Sequence, residues 1–276
     1  MMPNIFSGLQ VLAGGLLAVI AAIAGWRLGW LDLSGAFAAF GMGLIVFGLG
    51  GLSWSLVLLV FFISSSLLSK LFHSKKSESE KYAAKGARRD SGQVLANGGV
   101  ASFFVLLHVI FPHSQITWLG FVAAFAAANA DTWATEIGLL AQRAPILITS
   151  GKAVAKGTSG GISLAGTLGA AAGSALIVLT AWWVWPEFLQ EAHFGWIAGI
   201  FLAGLLGSFI DSLLGATLQR VNYCPTCQKE TEKAPLHGCG TATEYLRGWR
   251  WLDNDWVNFF CTLSAALLVM FIGVVG

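Results

Sequence analysis

An all-α, polytopic membrane helix bundle of about eight transmembrane helices is the fold class predicted here, and three observations predict it. Charged residues, 16 basic and 14 acidic, make up only 11% of the 276 residues, against about 25% in soluble domains. Hydrophobic residues reach 56%, and the mean hydropathy is +0.72. Twenty of the charged residues crowd into two stretches, 70–90 and 220–255. The apolar segments around them run to about 20 residues, the length that crosses a bilayer as a helix. A cytosolic globular enzyme cannot leave so little charge on its surface. Disordered, collagen-like and disulfide-rich secreted classes are excluded by the same composition. The 34 glycines suit close helix–helix approach in lipid, and the net charge of +2 points to no particular partner.

In chain order the predicted spans are 9–26, 33–51, 53–71, 93–111, 116–141, 161–185, 194–219 and 256–275. The first has no basic leader and no A-x-A site, so no cleavable signal peptide is expected. The second and third meet so tightly at Gly50 and Gly51 that one broken helix is an alternative reading. Alternation of eight spans puts the Arg27/Asp32 turn and the connections 72–92, 142–160 and 220–255 on one side. All 16 Lys and Arg residues then share that side, and the opposite connections carry only Glu187 and Glu191. By the positive-inside rule the basic side is cytoplasmic and both termini are extracytoplasmic. Trp26, Trp30, Trp54, Trp182, Trp183, Trp185 and Trp256 fall near predicted interfaces, where amphipathic rings are favoured. The chain reads as one integral-membrane domain, 1–276. With no transit peptide ahead of the first span, the expected location is the plasma (inner) membrane of a prokaryote.

Ionisable residues inside a span are costly and are functional hypotheses by default. Asp131 and Glu136 lie in the fifth span and Asp211 in the seventh, with Asn97 in the fourth and Asn129 beside Asp131. All five fall in the cytoplasmic half of their helices. Asp131 and Glu136 are about 140° apart on an ideal helix, so they need not converge. The eighth span opens with Asp253, Asn254, Asp255 and Asn258. Helix–helix glue is the competing reading, and it fits the asparagines better than three carboxylates, whose burial costs several kcal/mol each. Oxygen donors with no thiol or imidazole beside them suit Mg²⁺.

The entry to the sixth span runs from Lys152 through Lys156, Gly157, Thr158, Ser159, Gly160 and Gly161 to Ser163. Glycines that let backbone N–H groups turn inward, leading straight into a helix start, make a phosphate cradle. It is not a Walker A motif, and a plain turn is the alternative. Arg88 and Arg89 end the 72–92 connection, where paired arginines hold phosphate bidentately or anchor to anionic lipid headgroups. Cys224, Cys227, His237 and Cys239 have the spacing of a small Cys₃His zinc knuckle in the 220–255 loop, reduced thiols without metal being the alternative. Cys261, within the last span, reads as a small buried hydrophobe.

Five motifs, in order, carry a resemblance. They are Arg89-Asp90-Ser-Gly-Gln93 leading to Asn97-Gly-Gly, Asn129-Ala-Asp131-Thr-Trp-Ala-Thr-Glu136, Gly157-Thr-Ser-Gly-Gly161-Ile-Ser, Ile210-Asp211-Ser-Leu-Leu-Gly215 and Asn254-Asp-x-Val-Asn258. From about residue 30 onward the chain resembles an integral-membrane family long catalogued as a domain of unknown function. That family includes the plant plastid phytyl-phosphate kinase of vitamin E synthesis. The resemblance implies phosphoryl transfer from a nucleoside triphosphate, CTP foremost, to an isoprenyl monophosphate, giving the diphosphate. For that reaction the residues themselves point to Asp131, Asp211 and Lys156 as catalytic, with Mg²⁺ on Asp131 and Asp211. Asn97, Asn129, Glu136 and Asn254 would be further ligands or their supports. Lys152, Lys156 and the 157–161 loop, with Thr158 and Ser159, would hold the triphosphate, and Arg88 and Arg89 the acceptor phosphate. A CDP-lipid-forming cytidylyltransferase and a transporter with a broken helix at 157–161 are the rival readings. No nucleic-acid partner is expected, and the oligomeric state stays open.

Overall fold

The structure, a computed structural model, describes residues 7–72, 88–185 and 194–275. The reading that rests on Glu187 and Glu191, and most of the 72–92 connection, therefore lie outside the described residues. Among those described, eight α-helices stand within a few residues of the predicted spans. They are α1 (Gly8–Arg27), α2 (Leu33–Ile45), α3 (Leu52–Phe72), α4 (Ser91–Ile110), α5 (Gln115–Leu140), α6 (Leu164–Trp183), α7 (Phe194–Thr217) and α8 (Asn254–Val275). A π-helical turn, Val46–Gly50, continues α2. Seven of the eight are long and apolar enough to cross a membrane.

The exception by composition is α5, and it is the centre of the bundle. Residues 117–130 are buried without a break, packed against α3, α4, α6, α7 and α8. A helix enclosed by helices needs no lipid-facing stripe, so alanines take the place of leucines and neighbours come close. On α6 the approach is closest. A Cβ at Gly166, Gly169 or Gly173 would stand 3.0, 2.8 or 2.7 Å from the backbone oxygens of Ala134, Trp133 and Asn129.

Between α2 and α3 the chain folds back, and the two are separate helices rather than one broken one. Gly51, at φ +79°, makes the reversal, and Lys70 near the end of α3 donates to the Leu28 carbonyl just past the end of α1 at 3.4 Å. Side chains of Ser7, Asp32, Asp90 and Ser163 cap α1, α2, α4 and α6, each contributing about 1 kcal/mol. Asp90 and Gln93 form a reciprocal capping box, so two residues of the first motif have a backbone role.

The two ends of the bundle differ. At one, Trp54 packs on Trp118, Phe121 and His108 with ring centroids 5.0, 4.7 and 4.9 Å apart. At the other, the connections after α1, α3, α5 and α7 meet. The Asp32 amide donates to the Arg89 carbonyl at 3.0 Å, and the Ser159 hydroxyl donates to Glu232 at 2.5 Å. These connections hold short strands that the helix reading did not include. β1 (Ile146–Leu147) pairs with β2 (Gly161–Ile162), and β3 (Val221–Cys224) lies between β4 (Lys229–Thr231) and β5 (Glu244–Arg247). Strands of two to four residues leave no alternating pattern to read.

Candidate functional site

A cavity of about 360 Å³ opens among these connections. Of the residues singled out from sequence, Arg89, Asn97, Asp131, Glu136, Lys156, Gly157, Thr158, Ser159, Gly160, Gly161, Asp211 and Asn254 all line it. The order along the chain is thus scattered and the placement is common. Three candidates do not line it. Arg88 is exposed beside Gly29, and Lys152 is exposed on the loop after β1. Asn129 is fully buried, donating to the Gly173 carbonyl at 2.9 Å and accepting from Ser64 at 3.2 Å. Its neighbourhood to Asp131 in sequence misleads because a step of two residues turns about 200° around a helix. Asn129 joins α3, α5 and α6, as helix–helix glue does.

The cavity has two walls. On one, Glu136 of α5 accepts from Ser69 of α3 at 2.7 Å and is electrostatically coupled to Arg89. The guanidinium of Arg89 donates to Ser66 at 3.4 Å and lies 5.9 Å from the Phe61 ring centroid. Burial pulls Arg89 down to about 10, with Glu136 opposing, so it stays cationic at neutral pH. On the other wall Asp131 accepts from Ser208 at 3.5 Å. The carboxylates of Asp131, Asp211 and Glu232 are close enough to repel one another. Asp131 and Glu136 therefore serve different walls, as their angular separation on α5 requires.

Between the walls runs the glycine loop into α6. Gly157 and Gly160 take φ of +86° and +80°, and a Cβ at Gly160 would meet Ala216 of α7 at 2.5 Å. Only glycine fits there. Ser163 caps α6 from within the cavity lining, so the loop backbone and the start of α6 offer amide donors at the site. Lys156 is half-buried among them.

Sequence reasoning passed over Glu232, Gln219, Ser69 and Ser208, all of which line the cavity. Glu232 matters most. It follows β4, accepts from Gln219 at 2.9 Å as well as from Ser159, and brings a third carboxylate from outside the membrane helices. Its only signal was its place in the loop with the cysteines.

The donor set fits a hard divalent cation. Carboxylate and amide oxygens line the cavity, and no thiol or imidazole does so among the described residues. The Oδ2 atom of Asp211 is buried with no hydrogen-bond partner among the described residues, which a bound cation would satisfy. Asn97 and Asn258 donate their side-chain amides to their own helix backbones at 2.9 and 2.8 Å, leaving their oxygens as the free donors.

The cysteine cluster is a second centre. One ligand atom from each of Cys224, Cys227, His237 and Cys239 lies within 4.8 Å of the others, a Cys₃His set that could bind a metal such as zinc. Thr241 and His237 hold the Cys239 thiol down to about 5. Its hydrogen bond to Cys227 pushes that thiol up to about 11. Cys261 is fully buried, its thiol 3.9 Å from the Ala127 carbonyl, as its reading as a small hydrophobe expects.

Comparison with known proteins identifies the family. Protein PGR of Arabidopsis thaliana is 34% identical over 258 residues, 86% of this chain and 87% of that protein. An uncharacterized membrane protein of Methanocaldococcus jannaschii is 32% identical over 192 residues, covering 69% and 75%. Protein VTE6, chloroplastic, of Arabidopsis thaliana is 27% identical over 236 residues, covering 83% and 61%. No solved structure matches. The model of the family described as integral membrane protein DUF92 matches residues 16–266, and the chain belongs to that family.

Proposed function

We propose that this protein is a membrane kinase that moves a phosphoryl group from a nucleoside triphosphate, CTP foremost, to an isoprenyl monophosphate. The observation that carries this is one cavity with the carboxylates of Asp131, Asp211 and Glu232 on one wall, Arg89 paired with Glu136 on the other, and a glycine loop between them. Family relationship to Protein VTE6 adds weight, given the resemblance of the five motifs to the plastid phytyl-phosphate kinase family.

Asp131, Asp211 and Glu232 would hold Mg²⁺, with Asn97 and Asn254 nearby as oxygen donors. Bound there, Mg²⁺ supplies neutralisation of charge on the transferring phosphoryl group. Lys156 and the loop amides cradle the triphosphate, and Arg89, oriented by Glu136 and Ser66, holds the acceptor phosphate. An oxygen of that phosphate attacks the γ-phosphorus, the bond from the γ-phosphorus to the β-bridging oxygen breaks, and the nucleoside diphosphate leaves. The attacking oxygen is already anionic, so no strong general base is needed. Positioning of two polyanions is the main contribution of the chain. The basic connections at the cavity end favour a site facing the cytoplasm with both termini opposite, and a prokaryotic plasma membrane is the proposed location.

Purified protein incubated with Mg²⁺, γ-labelled CTP or ATP and a panel of prenyl monophosphates tests the reading. Labelled prenyl diphosphate with release of nucleoside diphosphate is the expected result. Pyrophosphate release with a CDP-linked lipid would make it a cytidylyltransferase instead. Uptake into sealed vesicles with no nucleotide turnover would make it a transporter.

A further inference from the structure

A second, smaller cavity of about 50 Å³ lies between α1, α2, α3 and α4. Its walls are apolar, from Ala39 and Met42 of α2 and from Leu58, Phe61 and Phe62 of α3. Three residues belong to both cavities: Arg89, Gln93 and Asn97. An apolar slot inside a membrane protein that shares a cation with a polar cavity matches one ligand shape, an aliphatic chain ending in a phosphate. The cation is well set for that junction. The Arg89 guanidinium faces Ser66 and Glu136 on its polar side and the Phe61 ring on its apolar side. The backbone of Arg89 is held in both directions, its amide donating to the Trp30 carbonyl and its carbonyl accepting from Asp32, each at 3.0 Å. At the far side Met42 packs on Gly98, where a Cβ would overlap the methionine sulfur. A thioether is the most adaptable of apolar side chains, so the slot can lengthen as a chain enters.

We infer that this slot receives the first part of the acceptor's hydrocarbon chain, with Arg89 gripping the phosphate at its mouth. The identity of the head group rests on the kinase reading; the chain site itself rests on the shape and lining of the slot. A volume of about 50 Å³ suits a single-chain monoester rather than a two-chain phospholipid.

A dodecyl monophosphate carrying a diazirine in its chain tests this on the purified wild-type protein. Photolabelling followed by peptide mapping should place the label on α2 and α3 around Ala39, Met42, Leu58 and Phe62. Unlabelled dodecyl phosphate should compete it away, and phosphatidic acid or dodecanol should not. Ala39→Phe, checked for an unchanged circular dichroism melt, should weaken dodecyl phosphate binding at least tenfold. Label spread over the lipid-facing helices, competition by phosphatidic acid, or wild-type binding by Ala39→Phe would overturn the inference. Prenyl diphosphate formation with label elsewhere would leave the kinase reading standing without this slot. Label in the slot without phosphoryl transfer would do the reverse.

Discussion

The cavity carboxylates and the cysteine cluster lie at the same end of the molecule but are held in place by different means. Asp131 and Asp211 sit on α5 and α7, rods whose path is set by packing along the bundle. Cys224 ends β3 of a three-stranded sheet and the other two cysteines sit on the connections between its strands, in a loop where Val221, Cys224 and Leu252 are the buried apolar residues. The first centre is built by the core, which brings three carboxylates together. The second has almost no core, and its ligands must supply one. An oxygen site on rigid helices can therefore lose a ligand and keep its fold, whereas a thiolate site on a bare loop cannot. Glu232 is where the two meet, because the knuckle carries it and the cavity uses it.

The largest effect should come from the core-built side. Asp131→Asn or Asp211→Asn should lower phosphoryl transfer by about 10³-fold or more, the scale of losing a preorganised charge in a dry site. The melting temperature should hold or rise, since an amide relieves the repulsion among Asp131, Asp211 and Glu232. A turnover assay paired with a thermal melt in metal-free buffer checks both. Unfolding of either variant would reverse the contrast between the two centres.

Glu232→Gln comes next, with turnover down by about 10²-fold. The zinc content measured by plasma mass spectrometry should match the wild type, because Glu232 is not a ligand of the cluster. This variant separates what the knuckle delivers from what holds the knuckle together. Cys224→Ser then removes the holder. Metal content should drop to background, amides of β3 should exchange faster, and far-UV helicity should stay as it was. Turnover should fall by about tenfold, the size expected when a support behind a site residue is loosened. A Cys224→Ser protein with full activity would show that Glu232 reaches the cavity without metal.

The same contrast explains what could be read in advance. Helices were legible because a bilayer forces every backbone group into an internal hydrogen bond and confines charge to the ends. The carboxylates on α5 and α7 were legible because a charge within an apolar run is conspicuous. Glu232 was not, since in a polar loop an acid looks like solvated surface, and only the turn-back of β4 against β3 brings it to the cavity. Asn129 failed for the opposite reason: a polar residue in a span invites a ligand role, and only the close seat of Gly173 on α5 reveals a backbone partner. Nor could sequence choose between Arg88 and Arg89, adjacent and chemically identical.

The structure does choose, and the smallest predicted effect sharpens the comparison at one-residue resolution. Asp32 and Trp30 hold the Arg89 backbone in a bridge beside Leu31, which sends its side chain to the cavity and leaves Arg88 exposed. Arg88→Ala should change turnover by no more than about twofold, as surface substitutions do, and Lys152→Ala should behave alike. Arg89→Ala should raise the KM for the prenyl monophosphate and lower kcat together, since the lost contact is to the reacting phosphate itself. Equal losses at Arg88 and Arg89 would mean that the pair acts as one phosphate clamp, and the division of the cavity into two walls would have to be redrawn.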